Sequence, residues 1–341
     1  MPAWPEESKI LAFCIPTYRR PDLLTLCIQS IVRSGGSFGV SIYVSDDSGD
    51  QTNDAALAQL KCWYPYIYVS KNKTNIGIDA NILAAADLCG CEYAWLIGED
   101  DLVVPDAISR ILQTIKLSRP RFVAVNYSYV SNDYQYCLRE RVMPLAKDIN
   151  LNGEDFMASL GWAIGFIGAC VIQRNQWHAA RDFVGTFYAH VASIYRQIHG
   201  HRISVIAEPL ILNRAENARS FTWGGRAFDV FFGWERMLNM LGAEYAGFDL
   251  QRAMRSSQVL FRHRSLGWLV SKRADGVYTG QVYKVYIKPI CDSALKRTAA
   301  LMISRCPIFI CRGIKFIAVE LPRLLKKRRI SSDRLPAGAR I

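Results

Sequence analysis

The stretch Ile10-Leu-Ala-Phe-Cys-Ile-Pro-Thr-Tyr-Arg-Arg-Pro21 decides how the rest of the sequence is interpreted. Its first six residues are apolar and predict a buried β-strand, and Pro21 stands where a helix would begin. Similar apolar runs predict strands at 40–45, 66–69, 93–97 and 122–126. Between them, apolar residues recur at helical spacing at 23–31, 78–86 and 107–115. This alternation predicts an α/β fold with a mostly parallel sheet, whose ligands bind at the carboxyl ends of the strands.

After residue 130 the pattern is less regular. It predicts helices at 175–183 and 189–198, a strand at 203–206 and largely helical structure after 226. The uncharged stretch 156–173 has two interpretations, a short membrane span or a glycine turn followed by a buried strand at Gly168–Gln173. Three glycines in eighteen residues favour the turn and strand.

The net charge of +12 is unevenly distributed along the 341 residues. Residues 1–283 carry 28 Lys and Arg against 27 Asp and Glu, whereas residues 284–329 carry 12 against 2. The composition, half apolar and 21% charged, excludes a mainly disordered, collagenous or coiled-coil protein. The sequence therefore combines a nearly neutral body with a basic C-terminal segment.

The ten cysteines form no Cys-x-x-Cys pair, and no histidine follows them at zinc-finger spacing, so a zinc site is not expected. Several lie inside apolar runs, as expected for reduced cysteines in a cytosolic protein. The N-terminal residues Met1-Pro-Ala-Trp lack the basic start of a secretory signal.

Three polar clusters each follow a predicted strand: Ile15–Pro21, Ser45-Asp-Asp-Ser-Gly-Asp50 and Gly98-Glu-Asp-Asp-Leu102. Taken singly, each fits ordinary turn or helix-cap chemistry. Taken together, they would bring several carboxylates to one edge of the sheet, where the acids repel one another unless a cation or ligand donors occupy the site. Carboxylate oxygens suit Mg²⁺ or Mn²⁺ that bridges phosphates.

In order and spacing these clusters, with Asn75-Ile-Gly77 and Asn81, resemble the donor half of a family 2 glycosyltransferase with the GT-A fold. Gly98 before the acidic run is similar to the abequosyltransferase-like group, which builds bacterial O-antigen or other surface polysaccharides. The resemblance covers residues 9–130. It implies a Rossmann-like sheet flanked by helices and a metal-dependent, inverting enzyme that moves a sugar from a nucleotide-diphosphate sugar to a saccharide acceptor.

The resemblance also implies roles for residues of the donor pocket. Thr17 and Tyr18 would border the nucleotide base, Arg19 would lie near the ribose or phosphates, and Asp46 or Asp47 would accept a hydrogen bond from the base. The other implied donor-binding residues are Pro16, Asn75, Gly77 and Asn81.

The resemblance places Mn²⁺ or Mg²⁺ on Asp100, with Asp101 beside it. The acid that the family uses for the ribose is replaced by Gly98, and Glu99 is the candidate substitute.

The family's general base is an acid that precedes a downstream helix, but the matching stretch Gly185–Ser193 has none. A neutral imidazole can accept a proton, so we expect His190 to be the base; the alternative is a histidine packed in the wall of the site. Trp162 and Tyr188 are candidate acceptor contacts or core aromatics. Arg214, Asn217 and Arg219 either close over the diphosphate or form a solvated loop.

The predicted organisation is a GT-A domain at 1–225, with a donor half at 9–130 and an acceptor half at 131–225. A helical region at 226–330 and a flexible tail at 331–341 follow. Residues 284–329 are either a helix lying on an anionic membrane surface or an ordinary surface helix. Nucleic acid is not expected, because the segment's aromatics form no base-stacking platform beside its charges.

We therefore expect an enzyme peripheral to the inner face of the cell membrane, with a lipid-linked acceptor. The alternatives are a transferase for a protein or small-molecule acceptor and an inactive GT-A scaffold at the membrane.

Overall fold

A computed structural model describes residues 9–35, 39–214, 226–261, 265–322 and 328–330. The chain divides into two compact units, one formed by Met1–Ala215 with Arg329–Ile341 and the other by Glu216–Arg328. The tail predicted at 331–341, and Asn217 and Arg219, lie outside the described residues.

The first unit is an α/β structure. Its elements in chain order are β1 (Leu11–Thr17), α1 (Pro21–Gly35), β2 (Ser41–Asp46), α2 (Asp54–Trp63), β3 (Ile67–Lys71), α3 (Ile78–Asp87), β4 (Tyr93–Leu96), β5 (Leu102–Val103), α4 (Ala107–Ser118), β6 (Phe122–Val130), β7 (Tyr136–Arg139), β8 (Ile149–Asn152), α5 (Gly153–Ser159), β9 (Cys170–Gln173), α6 (Ala189–Ile198) and β10 (Arg202–Arg214).

The second unit is helical. It contains α7 (Ala227–Glu244), α8 (Leu250–Phe261), α9 (Leu266–Ala274), α10 (Gly280–Val282), α11 (Ala294–Arg305) and α12 (Ile308–Lys315), and a short strand β11 (Arg328–Arg329) follows. Its buried cluster is Phe228, Leu269, Tyr278, Tyr283, Ile287, Cys291 and Ala300. The predicted helical C-terminal region is thus confirmed.

The sheet of the first unit positions the polar clusters. Strands β3, β2, β1 and β4 lie side by side in that order and are parallel, with Thr17 opposite Asp46 and Leu11 opposite Tyr93. The chain moves outward from β1 to β3 and then returns to the other side of β1 as β4. Such a reversal leaves a crevice at the carboxyl ends of β1 and β4. The segments that follow these two strands therefore face each other.

Beyond β4 the sheet mixes directions. Strand β9 lies antiparallel between β4 and β6, and β10 runs parallel to β6 with irregular register between Ile206 and Ile211. Short strands β5 and β8 pair antiparallel with β10. The predicted α/β fold with a mostly parallel sheet is confirmed, and β10 extends well beyond the strand predicted at 203–206.

The stretch predicted as a helix at 175–183 is not one. It forms two short 3₁₀ turns, Arg174–Gln176 and Arg181–Phe183. Tertiary bonds hold the backbone there: Trp177 Nε1 donates to Asp87, and the Ala180 amide donates to Ser193 Oγ, 2.8 Å away. These bonds outweigh the weak helical pattern.

Stretch 156–173 contains the end of α5, 3₁₀ turns and β9, which is the turn-and-strand interpretation. Among the residues that the structure describes, no helix combines the length and the apolar character that a membrane span requires.

A buried amide supports the irregular part of β10. Asn126 on β6 is fully buried, and its Nδ2 donates to the carbonyls of Met143 and Ala207, both at 2.8 Å. Its Oδ1 accepts from the amides of Met143 and Tyr127. One side chain thus satisfies backbone groups that the regular ladder leaves unpaired.

We predict that Asn126→Ala lowers the free energy of unfolding by about 3 kcal/mol, because it leaves several buried backbone groups without partners. Urea denaturation followed by tryptophan fluorescence measures the change. Gln113→Ala, at an exposed position of α4, is the control and should leave stability nearly unchanged. Equal stability of the two variants would show that Asn126 does not support this region.

Candidate active site

A buried carboxylate joins the two sides of the crevice. Glu99 follows β4, and its Oε2 accepts hydrogen bonds from Thr17 Oγ1 and, at 2.8 Å, from the Tyr18 amide. Arg20 Nε lies 3.7 Å from the other oxygen of Glu99. Burial is the main cause that raises the pKa of Glu99 to about 8, against the opposing effect of its hydrogen bonds. The side chain predicted to replace the ribose-binding acid therefore holds the ends of β1 and β4 together.

Steric crowding accounts for the glycine that begins the acidic run, Gly98. A Cβ atom at residue 98 would lie 2.6 Å from Asp101 Oδ2 and 3.1 Å from Asp100 Oδ1. The carboxylates of Asp100 and Asp101 both fold back over Gly98. A side chain here would require the Asp101 carboxylate, which Asn213 and Arg214 hold in place, to shift.

Asp100 and Asp101 have different surroundings. Asp101 is buried, 3% exposed, and its Oδ1 accepts from Asn213 Nδ2 and from the Arg214 amide on β10, at 3.1 and 3.2 Å. The side chain of Asp100 is 18% exposed, and its Oδ2 pairs with Arg20 at 3.0 Å. Asp101 therefore ties the acidic loop to β10, and Asp100 is the more accessible acid.

The acidic run offers carboxylate ligands to a divalent cation whose other ligands would come from a diphosphate. Within the described ranges, no group of three or more His, Cys, Asp or Glu side chains has the arrangement of a metal cage. Mg²⁺ commonly takes one or two carboxylates and completes its shell with phosphates and water. The pKa of Asp101 is raised by burial and then by the charge of Asp100, and Asp100 also raises that of Glu99. A cation at Asp100 would relieve this repulsion.

The two acids after β2 also differ. Asp47 uses both oxygens: Oδ1 accepts from Asn72 Nδ2 and the Ile76 amide, and Oδ2 accepts from the Gly77 amide. This carboxylate shapes the loop from Asn72 to Gly77.

In Asp46, Oδ1 accepts from Ser48 and Asn53, whereas Oδ2 is buried without a hydrogen-bond partner in the described structure. Asn53 Oδ1 is likewise buried without a hydrogen-bond partner in the described structure. Asp46 is therefore the acid of this pair with an unused acceptor, and Asn53, which sequence reasoning missed, lies beside it.

The loop before α3 presents its backbone openly. Gly77 has φ of 87°, a conformation that favours glycine, and a Cβ at this position would meet no atom within 4 Å. Asn75 Oδ1 accepts from the Gly77 amide at 2.8 Å, and Asn81 Nδ2 donates to the Thr17 carbonyl at 3.3 Å. The structure thus brings Thr17, Asp47, Asn75, Gly77 and Asn81 into one network.

Pro16 and Thr17 end the β1 ladder, and Arg19 follows in the left-handed region, with φ of 55°. Its guanidinium lies 5.4 Å from the centre of the Tyr18 ring and pairs with Asp50 at 2.8 Å, while its amide donates to Ser48 Oγ. Strained backbone of this kind is concentrated at functional sites.

A second missed residue, Asp79, connects the donor half to α6. It is buried near the start of α3, and its carboxylate accepts from the amides of Gly185, Phe187 and Ala189, at 2.8, 2.8 and 3.2 Å. These amides precede or begin α6, where a negative charge also favours the helix dipole. Asp79 thereby positions the start of α6, the helix that carries His190. An acid early in a helix is too common a pattern to have indicated this role.

His190 is buried, and its Nε2 lies 3.0 Å from the Ile164 carbonyl. That carbonyl can only accept, so a neutral ring carries its proton on Nε2 and a lone pair on Nδ1. Nδ1 has no hydrogen-bond partner in the described structure. Burial is the main cause that lowers the pKa of His190 to about 4, with Asp79 acting in the opposite direction. The ring is therefore a neutral acceptor at pH 7.

The remaining candidates already make contacts within the first unit. Trp162 and Tyr188 are both buried, and Trp162 Nε1 donates to the Ser159 carbonyl. Their contact with an acceptor remains a prediction. Arg214 Nε donates to the Asn132 carbonyl, and its guanidinium lies 6.0 Å from the centre of the Tyr134 ring.

We predict that wild-type protein loses up to about 3 kcal/mol more stability than His190→Gln between pH 6.5 and pH 4. The folded-state pKa lies below the ordinary value, so the unfolded chain binds the proton more readily and stability falls as the pH drops. Urea denaturation across this range measures the difference. His178→Gln, at an exposed position, should follow the wild-type curve. Parallel curves for wild type and His190→Gln would contradict the buried neutral ring.

Comparison with known proteins agrees with this geometry. The family model for glycosyl transferase family 2 matches residues 12–179, which contain β1, β4 and the polar segments that follow them. Abequosyltransferase RfbV of Salmonella typhimurium is 26% identical over 291 residues, which cover 79% of this chain and 84% of RfbV.

Solved structures share the fold. The crystal structure of TarS 1–349 of S. aureus has a TM-score of 0.53 at 11% identity and covers 89% of this chain and 91% of its own. The same protein in complex with UDP-GlcNAc has a TM-score of 0.51 at 12% identity, over 89% and 92%. Residues 12–179 therefore form a glycosyl transferase family 2 domain, and over most of its length the chain is similar to an abequosyltransferase.

Proposed function

We propose that the protein transfers one sugar from a nucleotide-diphosphate sugar to a saccharide acceptor, a lipid-linked intermediate of O-antigen or another surface polysaccharide. The observation that carries this proposal is the crevice between β1 and β4, where Glu99 fixes the Thr17–Tyr18 edge opposite the accessible Asp100. The relationship to an abequosyltransferase supports the acceptor class, and the TarS complexes with UDP and UDP-GlcNAc support the donor class.

The donor's base would lie beside Thr17 and Tyr18. Asp46 Oδ2 is a buried acceptor without a partner among the described residues, and a base N–H is the kind of donor that satisfies it. The backbone at Gly77 would face the sugar or diphosphate, since its open side admits close approach. Arg19, which is exposed and already beside Tyr18, would contact the ribose or phosphates.

Asp100 would hold Mn²⁺ or Mg²⁺, and the buried Asp101 would support the loop from the side of β10. When bound, the ion supplies Lewis-acid stabilisation of the charge that develops on the departing nucleoside diphosphate. Arg20, paired with Asp100 at 3.0 Å, holds that carboxylate in place.

The transfer is proposed as a single inverting displacement. The acceptor hydroxyl oxygen forms a bond to the anomeric carbon as the bond from that carbon to the diphosphate oxygen breaks. The hydroxyl proton passes to Nδ1 of His190, whose other nitrogen is oriented by the Ile164 carbonyl. Burial keeps the imidazole neutral at pH 7, and the nearby Asp79 carboxylate, which raises the pKa of His190, would favour the protonated ring that the transfer forms.

The basic segment 284–329 would place the enzyme at the inner face of the cell membrane, where a lipid-linked acceptor is presented. Two alternatives predict different results. An inactive scaffold binds no donor, and a transferase for a protein or small molecule uses donor without a saccharide acceptor. A panel of UDP-, GDP-, CDP- and dTDP-sugars, read by thermal shift with and without Mn²⁺, separates the scaffold from the enzyme.

We predict that Asp100→Asn lowers metal-dependent donor turnover at least about 100-fold, because the amide binds a divalent cation far more weakly than a carboxylate does. Release of nucleoside diphosphate, measured with Mn²⁺ and the donor selected by the panel, reports the change. Asp106→Asn is the matched control, since that acid is exposed before α4 and outside the crevice. Full turnover by Asp100→Asn would remove the proposed metal ligand.

We predict that His190→Gln lowers kcat about 100-fold or more and changes the donor's KM little, because a general base contributes to the chemical step. Steady-state transfer to a saccharide acceptor measures both constants, and His178→Gln should behave as wild type. If His190→Gln turned over within a few-fold of wild type, the histidine would be a packing residue only.

A further inference from the structure

Helix α12 packs on α9, and the π-helical segment Phe316–Glu320 continues α12. Cys311 is buried there, and Arg312 Nε donates to the Ala274 carbonyl at 3.2 Å. Lys315 Nζ reaches Asp275 Oδ1 at 2.6 Å. Arg312 and Lys315 are cations that the sequence pattern would assign to a membrane surface. They are instead bonded to Ala274 and Asp275 of the second unit.

The opposite face is apolar and exposed. Ile310, Ile314, Ile317 and Leu321 follow one another at intervals of four, three and four residues, the spacing of one helical stripe. Phe309 and Phe316 flank the stripe, with Phe309 74% and Ile317 68% exposed. These six residues lie on α12 and on the helical residues 316–321 that continue it, and we call them the outer stripe of α12. A helix of a globular protein normally turns such a stripe toward the core, so this orientation points to a partner.

The net charge of the segment favours one kind of partner. Residues 284–329 contain 12 Lys and Arg and two acids, Asp292 and Glu320. Lys284, Lys288 and Arg305 are exposed. A second copy of the chain would bring the same positive charge against this surface and be repelled. An interface of anionic headgroups over acyl chains satisfies both the cations and the apolar side chains.

We infer that the outer stripe of α12 inserts into the headgroup region of an anionic membrane. Arg312 and Lys315 hold the helix on the protein, and the other cations of the segment attract it to the surface. Insertion of apolar side chains makes this a hydrophobic contact as well as an electrostatic one. The inference rests on the proposed function in one respect, since that function places the acceptor at the same membrane.

Flotation of the full chain with lipid vesicles tests the inference. We expect wild-type protein to float with phosphatidylcholine vesicles that contain about 30 mol% phosphatidylglycerol and not with pure phosphatidylcholine. The variant Phe309→Ser/Phe316→Ser/Ile317→Ser should lose this binding at least about tenfold, because it removes the inserted side chains. In about 0.5 M NaCl the wild-type protein should retain part of its binding, since apolar insertion is not screened.

Leu117→Ser is the matched control, because Leu117 on α4 is 78% exposed and lies in the first unit. It should float as wild type does. Thermal unfolding confirms that the triple variant is folded, as expected for substitutions at exposed positions. Equal flotation of the triple variant and wild type would overturn the inference, as would binding abolished by competing duplex DNA.

Donor turnover without vesicles keeps this test separate from that of the proposed function. A triple variant that turns over donor normally but does not float supports the inference alone. A wild-type chain that floats but uses no donor contradicts the proposed function and leaves the membrane contact standing.

Discussion

The carboxylate of Glu99 is the interaction on which the crevice depends. It lies buried between the ends of β1 and β4 and accepts from Thr17 and from the Tyr18 amide. Burial makes its negative charge costly, and the neighbouring Asp100 adds to the cost. The hydrogen bonds from β1 and the nearby Arg20 offset part of it. The crevice is therefore held together by a group that is costly to ionise, and a cation bound nearby would favour its ionised form.

The same principle joins the loop before α3 to α6. Asp79 lies in the first turn of α3, two residues after the open backbone at Gly77, and its carboxylate accepts hydrogen bonds from three amides before and at the start of α6. The positions of Gly77 and His190 are thereby set from one short helix. A donor that orders the loop at Gly77 would act on the same element that positions the proposed base. Buried carboxylates that each accept two or more N–H groups from backbone or side-chain amides connect the segments of the site, namely Asp47, Asp79 and Asp101.

Sequence patterns predicted a large part of this arrangement because they depend on local chemistry. Apolar runs and turn residues located strands β1, β2, β3, β4 and β6. The uneven charge likewise located the basic segment. Local chemistry did not predict the structure at 175–183, where bonds to Asp87 and Ser193 replace a helix. It also missed Asn53, which bonds to Asp46 and Ser48 across the segment after β2, and Asp79, whose partners lie far along the chain near α6.

The sequence by itself determined the fold class, the family and the set of acids at one edge of the sheet, since alternation, turn chemistry and motif order are properties of neighbouring residues. Only the tertiary structure decided what each acid does: Asp46 keeps an unused oxygen where Asp47 has none, and Asp100 remains accessible where Asp101 is buried. It also decided which face of α12 is outermost. The physical reason is common to all three: a side chain's free oxygen or exposed surface depends on partners that folding brings from far along the chain.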